Sequence, residues 1–181
     1  GSNRFSAETQ AHCAAGIATF SPAVRGSRGF GPTFEAMNDG DLGGDEIVDL
    51  VAAARWLVDQ GWTAERIGVY GGSHGGYATM RALTFDPSDT GHDPSLDFPF
   101  AFGVSRAGFS DITTFHATSN IPDWVILEAG DPATEADKLD RRSPVRQVGR
   151  LDAPLVLLHG ENDSRVPVAE SRAMAAACAE V

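Results

Sequence analysis

A chain of 181 residues, 42% of them hydrophobic, is long enough for one domain with a sizeable core and leaves little room for two. A formal net charge of -11 argues against a nucleic-acid partner, because phosphate binding needs a basic face. No run is apolar and long enough to span a membrane, no signal peptide is visible, and Cys13 and Cys178 lack any CxxC or Cys/His spacing, so reduced thiols and a cytoplasmic location are expected.

Ser6 reads as the N-cap of a helix through "AETQAHCAAG" that Gly16 closes. "IATFSPAV" reads as a strand and "RGSRGFGPTF" as a glycine-rich loop. "GGDEIVDLVAAARWLVDQG" is the clearest helix, with Ile47, Leu50, Val51, Ala54, Leu57 and Val58 on one stripe. "RIGVYG" is a short, nearly unbroken apolar run, as expected of a strand buried on both faces. "HGGYATMRALTF" then reads as a helix, residues 86–97 as a polar loop, and "FAFGVSRAG" as another buried strand. Residues 111–150 are mixed, with short helices and loops. "PLVLLHG" is a fourth strand, and "PVAESRAMAAACAE" a last helix with Pro167 in its first turn. This β-α-β-α alternation implies an α/β fold: a mostly parallel sheet with helices on both faces and right-handed crossovers.

"GGSHGG" stands where the second strand becomes a helix. A G-x-S-x-G turn at that junction is a nucleophile elbow: the turn is so tight that its flanking positions favour glycine, and it lifts the hydroxyl of Ser73 above the sheet. The helix that begins there offers free N–H groups and partial positive charge, so the backbone N–H of His74 is the expected oxyanion donor. The His74 side chain points elsewhere in such a turn and is not taken as the base. A dinucleotide G-x-G-x-x-G would need glycine at Ser73, and a phosphate loop would need lysine at Tyr77. The orienting acid belongs beyond a later strand, and Asp163 in "PLVLLHGENDSRVP" lies there.

With these stretches in hand, the sequence resembles the catalytic domain of the prolyl oligopeptidase family of serine peptidases, its acylaminoacyl-peptidase-like and dipeptidyl-peptidase-like branches in particular. The matching stretches, "PAVRGSRGFG", "GDEIVDL", "GVYGGSHGGYATM" and "LLHGENDSRVP", run in the family's order over most of the chain. The resemblance implies an α/β-hydrolase fold, Ser73 as nucleophile and Asp163 as triad acid. It also implies a substrate pocket near Tyr77 and Val166, and Arg25 as a support for the loop after the second strand, paired with Asp45 or Asp49, the alternative being a plain surface charge. No metal or organic cofactor is implied, and the partner is a peptide substrate.

The pattern breaks at both ends. None of His12, His74, His92, His116 or His159 follows Asp163, where the family places its histidine. His159 reads as structural. The "HGGP"-like loop that gives a second oxyanion donor, and the β-propeller that family members usually carry, are not seen either. The whole of 1–181 therefore reads as a single truncated catalytic domain, incomplete at both ends. Little activity is expected of it, and unpaired sheet edges are expected to favour association into oligomers. Two other readings stand beside the peptidase: a carboxylic-ester hydrolase of the same fold, and a catalytically dead α/β-hydrolase module that serves as an interaction unit.

Overall fold

The computed structural model describes residues 5–181. Helices in chain order are α1 (Ala7–Ala14), α2 (Pro32–Glu35), α3 (Asp45–Asp59), α4 (His74–Leu83), α5 (Ile112–Thr118), α6 (Pro122–Ala129), α7 (Pro132–Arg142) and α8 (Ala169–Cys178). Strands are β1 (Val69–Gly72), β2 (Gly103–Arg106) and β3 (Leu155–Leu158). They form one parallel sheet in the order β1-β2-β3, with Gly72, Arg106 and Leu158 in register at its carboxyl edge.

Local chemistry explains the ends of several elements. The Ser6 hydroxyl accepts from Thr9 N–H and caps α1. Asp111 caps α5 by accepting from Thr113 and Thr114 N–H. Proline opens α2, α6 and α7, where its missing N–H costs nothing. Pro167 instead lies two residues before α8, so the last helix starts later than its sequence suggests.

The strand read at "IATFSPAV" does not form. None of residues 18–23 exchanges a backbone hydrogen bond with another described residue. Strand propensity is realised only against a neighbouring strand, and Pro22 offers no N–H to one. The segment is anchored by side chains instead, with Phe20 stacked on Trp56 of α3 at 5.3 Å.

The sheet's two faces differ. Val69, Gly103, Ser105 and Leu155 turn toward α4, close enough that a Cβ on Gly103 would lie 3.1 Å from Thr79. On the other face α1 reaches Tyr70, with His12 edge-on to its ring at 5.5 Å. Tyr70, Val156 and Leu158 there keep 37%, 48% and 51% of their surface exposed. The expectation of strands buried on both faces is thus met on one face only. An apolar run reports that a strand can be buried, not which helices lie over it.

The α3 stripe buries Ile47, Val51 and Ala54, leaves Leu50 and Leu57 half-buried, and leaves Val58 exposed near the helix end. Ile47, Val51 and Ala54, with Leu50 and Leu57 packed against them, meet Ala78, Ala82 and Leu83 of α4 in one core cluster. A second cluster lies near the sheet's carboxyl edge and includes Tyr77, Phe109, Phe115, Val125 and Val166. Phe109 is stacked between Tyr77 at 4.5 Å and Phe115 at 4.2 Å. Phe109→Ala is expected to lower unfolding free energy by about 3–5 kcal/mol, a loss that urea unfolding would measure.

Arg25 joins the loop before α2 to α3. It pairs with Asp45 and forks onto both oxygens of Asp49, so it takes both of the expected partners. Asp45 also accepts from His92 at 2.8 Å, which ties the polar loop at 86–97 to the same helix.

Candidate active site

The elbow is built from the end of β1 and the start of α4. Ser73 has φ 56° and ψ -118°, a region that non-glycine residues rarely enter. Its N–H donates to Arg106 O at 2.8 Å, and its own carbonyl accepts from Gly76 and Tyr77 N–H at 2.8 and 3.0 Å. The backbone is thus held on both sides of the serine, while its side chain is exposed. The N–H groups of His74 and Gly75 have no acceptor among the described residues and are open to one from outside.

The glycines do different work from that expected of the pentapeptide. A Cβ on Gly71 would run into the backbone carbonyl of Gly75, so this position has no room for a side chain. A Cβ on Gly75 itself would meet nothing within 4 Å. The second constrained glycine is Gly76, where a Cβ would sit 2.8 Å from Arg106 O and Gly108 Cα. The crowding arises where α4 crosses the loop that leaves β2, which lies outside the motif.

That loop carries a second unusual residue, Ala107 at φ 49°, whose N–H donates to Leu158 O at 2.7 Å. Ser73 and Ala107 are the only non-glycine residues with positive φ among those described, and both stand on the carboxyl edge of the sheet.

Asp163 leaves the same edge two strands away, which is about 10 Å at ordinary strand spacing. Its Oδ1 accepts from Val166 and Arg165 N–H, both at 2.9 Å. These two bonds hold its carboxyl below the usual aspartate range, against a small opposing effect of burial. A lowered folded value means that Asp163 contributes stability above the unfolded value of about 3.9 and loses it as pH falls through the folded one. A carbon-detected titration is expected to find its midpoint below 3.9, with the 163–166 loop loosening at that midpoint.

His159 is committed elsewhere. Its Nε2 donates to Val166 O at 2.8 Å and its Nδ1 is 2.7 Å from Ser171 Oγ. Asp163 Oδ2 is 4.0 Å from its Nε2. Among the described residues no histidine ring hydrogen-bonds Ser73. His74 turns to Glu46, His92 to Asp45, and His12 packs on Tyr70. His116 lies on α5.

Two expected pocket residues face inward. Tyr77 is fully buried, and its hydroxyl donates to Arg142 O at 2.9 Å. Burial pushes its phenol up. Val166 keeps only 2% of its surface. Neither side chain is free to touch a substrate as expected. Ser73 precedes the helix with non-helical backbone, whereas Tyr77 lies within α4 and stacks its ring on Phe109 in the core.

Two buried acids went unread in the sequence. Glu170 of α8 accepts from Ser110 N–H, Asp111 N–H and the Thr114 hydroxyl, and so fixes the last helix to the loop after β2. Glu46 of α3 accepts from Gly43 N–H and pairs with His74. Both lie in a helix's first turn, where a glutamate ordinarily serves the helix dipole.

Comparison with known proteins matches residues 3–180 to the prolyl oligopeptidase family. The chain belongs to the prolyl oligopeptidase family. It is 38% identical over 165 residues to dipeptidyl aminopeptidase BIII of Pseudoxanthomonas mexicana, covering 86% of this chain and 22% of that protein. Human acylamino-acid-releasing enzyme is 29% identical over 86% of this chain and 21% of its own length. A puromycin-hydrolyzing peptidase from Mycobacterium tuberculosis superposes with a TM-score of 0.77 at 29% identity, over 87% of this chain and 23% of that one. The parallel sheet and its helices are therefore part of an α/β-hydrolase fold. The chain spans about a fifth of the length of these family members.

Proposed function

We propose that this chain carries the nucleophile and the acid of a serine peptidase that works through an acyl-enzyme on Ser73. The observation that carries the reading is the backbone of Ser73. A non-glycine residue is kept in a strained conformation, its side chain is exposed, and two free N–H groups follow it. Such strain is retained where the surroundings over-determine it, and here β1, β2 and α4 do so.

The reaction follows from these parts. Ser73 Oγ attacks the peptide carbonyl carbon and loses its proton to an imidazole. The carbonyl oxygen takes up negative charge and is stabilised by the His74 N–H and the start of α4. Collapse expels the amine, which takes the proton, and water then releases the acid from Ser73. Asp163 is the group that orients the imidazole. We place that imidazole outside the five histidines of this chain, because four of their rings are engaged with other groups and none reaches Ser73. The isolated chain is accordingly a slow catalyst.

Membership of the family and its peptidase-named relatives support amide rather than simple ester substrates. None of the described helices is long and apolar enough to cross a membrane. Two free cysteines support a reducing compartment.

The test is acyl transfer followed by intact mass. A peptidyl p-nitrophenyl ester is expected to leave its acyl group on Ser73, slowly, and to leave none on Ser73→Ala. Acylation that is equal in both, or that maps to another residue, would refute the assignment.

A further inference from the structure

We infer that Glu46 and His74 form a positioning pair that fixes the direction of the His74 N–H at the elbow. The inference rests on the oxyanion role proposed above for that N–H.

The first three residues of α4 are His74, Gly75 and Gly76. The two glycines contribute no side-chain contact to the turn, and Ser73 beside them is strained. Of these three residues only His74 has a side chain beyond its backbone through which α3 and α6 can bear on the turn. The ring is engaged on several sides. Its Nε2 lies 2.9 and 3.2 Å from the two oxygens of Glu46. Trp124 of α6 packs edge-on to it at 5.8 Å, and Tyr77 lies beneath at 6.4 Å.

Glu46 is a rigid partner. Only 2% of it is exposed, and its Oε1 also accepts from Gly43 N–H at 2.9 Å. The carbonyl of Gly43 in turn accepts from Arg81, a fully buried arginine of α4. A chain of contacts thus leaves α4 at His74, passes through the start of α3 and returns to α4 at Arg81. Glu46 sits in the first turn of α3, where the helix dipole favours its negative charge. A buried carboxylate is costly without partners, and the Gly43 N–H and the His74 ring supply them.

The charged groups around the ring agree with this geometry. Burial opposes a proton on His74. The hydrogen bond and charge of Glu46, with Glu128 of α6, outweigh it and raise the ring above the ordinary imidazole value. Tyr77, the other titratable group in contact, stays neutral because burial pushes its phenol up. A raised folded value means that the stabilisation from the charged pair is fully present below the unfolded value of about 6.5 and is lost as pH rises through the folded one.

Residual dipolar couplings of the His74 and Gly75 N–H vectors test the inference directly. They would be measured on this chain, on Glu46→Gln, and on His74→Phe, which keeps the packing on Trp124 without the charge. Both variants are expected to shift these two couplings and to leave those of β1 and β2 unchanged. In the native chain the two couplings are expected to change with pH at the midpoint of the His74 ring. Unchanged couplings at 74 and 75 in a folded variant, or no common midpoint, would overturn the pair's role. Should Glu46→Gln fail to fold, His74→Phe decides alone. Couplings that respond in a chain whose Ser73 accepts no acyl group would leave the pairing standing and overturn the reading of Ser73 instead.

Discussion

Gly71→Ala is expected to lower unfolding free energy by on the order of 3 kcal/mol and to remove reactivity at Ser73 together with it. The added carbon would run into the carbonyl of Gly75. No side-chain rotation relieves that contact, because the obstacle is backbone. The end of β1 and the first turn of α4 must separate, and with them go the bonds from Gly76 and Tyr77 N–H to Ser73 O. Gly75→Ala is the control. Its added carbon meets nothing within 4 Å, so its stability should stay within about 1 kcal/mol of the native chain. Urea unfolding of the two variants side by side would check both. Equal stability would mean that the close crossing at Gly71 is not what fixes the elbow.

Ser73→Gly and Ser73→Ala are expected to separate strain from chemistry. Both remove the hydroxyl, so both should abolish acylation at this position. Only glycine adopts φ 56° and ψ -118° without steric penalty. The strain at such a residue is about 1–3 kcal/mol. Part of the relief is offset by the greater freedom of glycine in the unfolded chain, about 0.5–1 kcal/mol. Ser73→Gly should therefore be more stable than the native chain by about 1 kcal/mol, while Ser73→Ala should match it. Thermal unfolding of the three proteins measures the difference. A glycine variant no more stable than the alanine variant would show that the serine is not strained in solution.

Much of this site was legible in the sequence because its determinants are local. The glycines around Ser73 and the change from an apolar run to a helical one mark the elbow, and "LLHGENDSRVP" marks the loop of Asp163. Both stand where expected, on the carboxyl edge of a parallel sheet. What escaped depends on partners far along the chain. "IATFSPAV" has the composition of a strand, but a ladder requires a neighbour that composition does not describe. The requirement for glycine at position 76 comes from Gly108 and Arg106, thirty residues or so away. Tyr77 and Val166 are expected at the pocket, whereas both side chains are buried in the second core cluster, Tyr77 stacked on Phe109. Glu46 and Glu170 stand in the first turns of their helices, where nothing local distinguishes them from exposed acids. Their burial is decided by His74 in one case and by Ser110, Asp111 and Thr114 in the other.

Ser73 is proposed here as an elbow nucleophile whose base lies outside the five histidines of this chain. The most direct test treats the folded protein with a fluorophosphonate, with and without free imidazole, and maps the adduct by mass. A slow adduct at Ser73 alone is expected, faster with imidazole, and none in Ser73→Ala. Rapid stoichiometric labelling of Ser73 without imidazole would contradict it and would point to His116 or His159 as a base already in place. No adduct at Ser73 under any condition would contradict its role as the nucleophile.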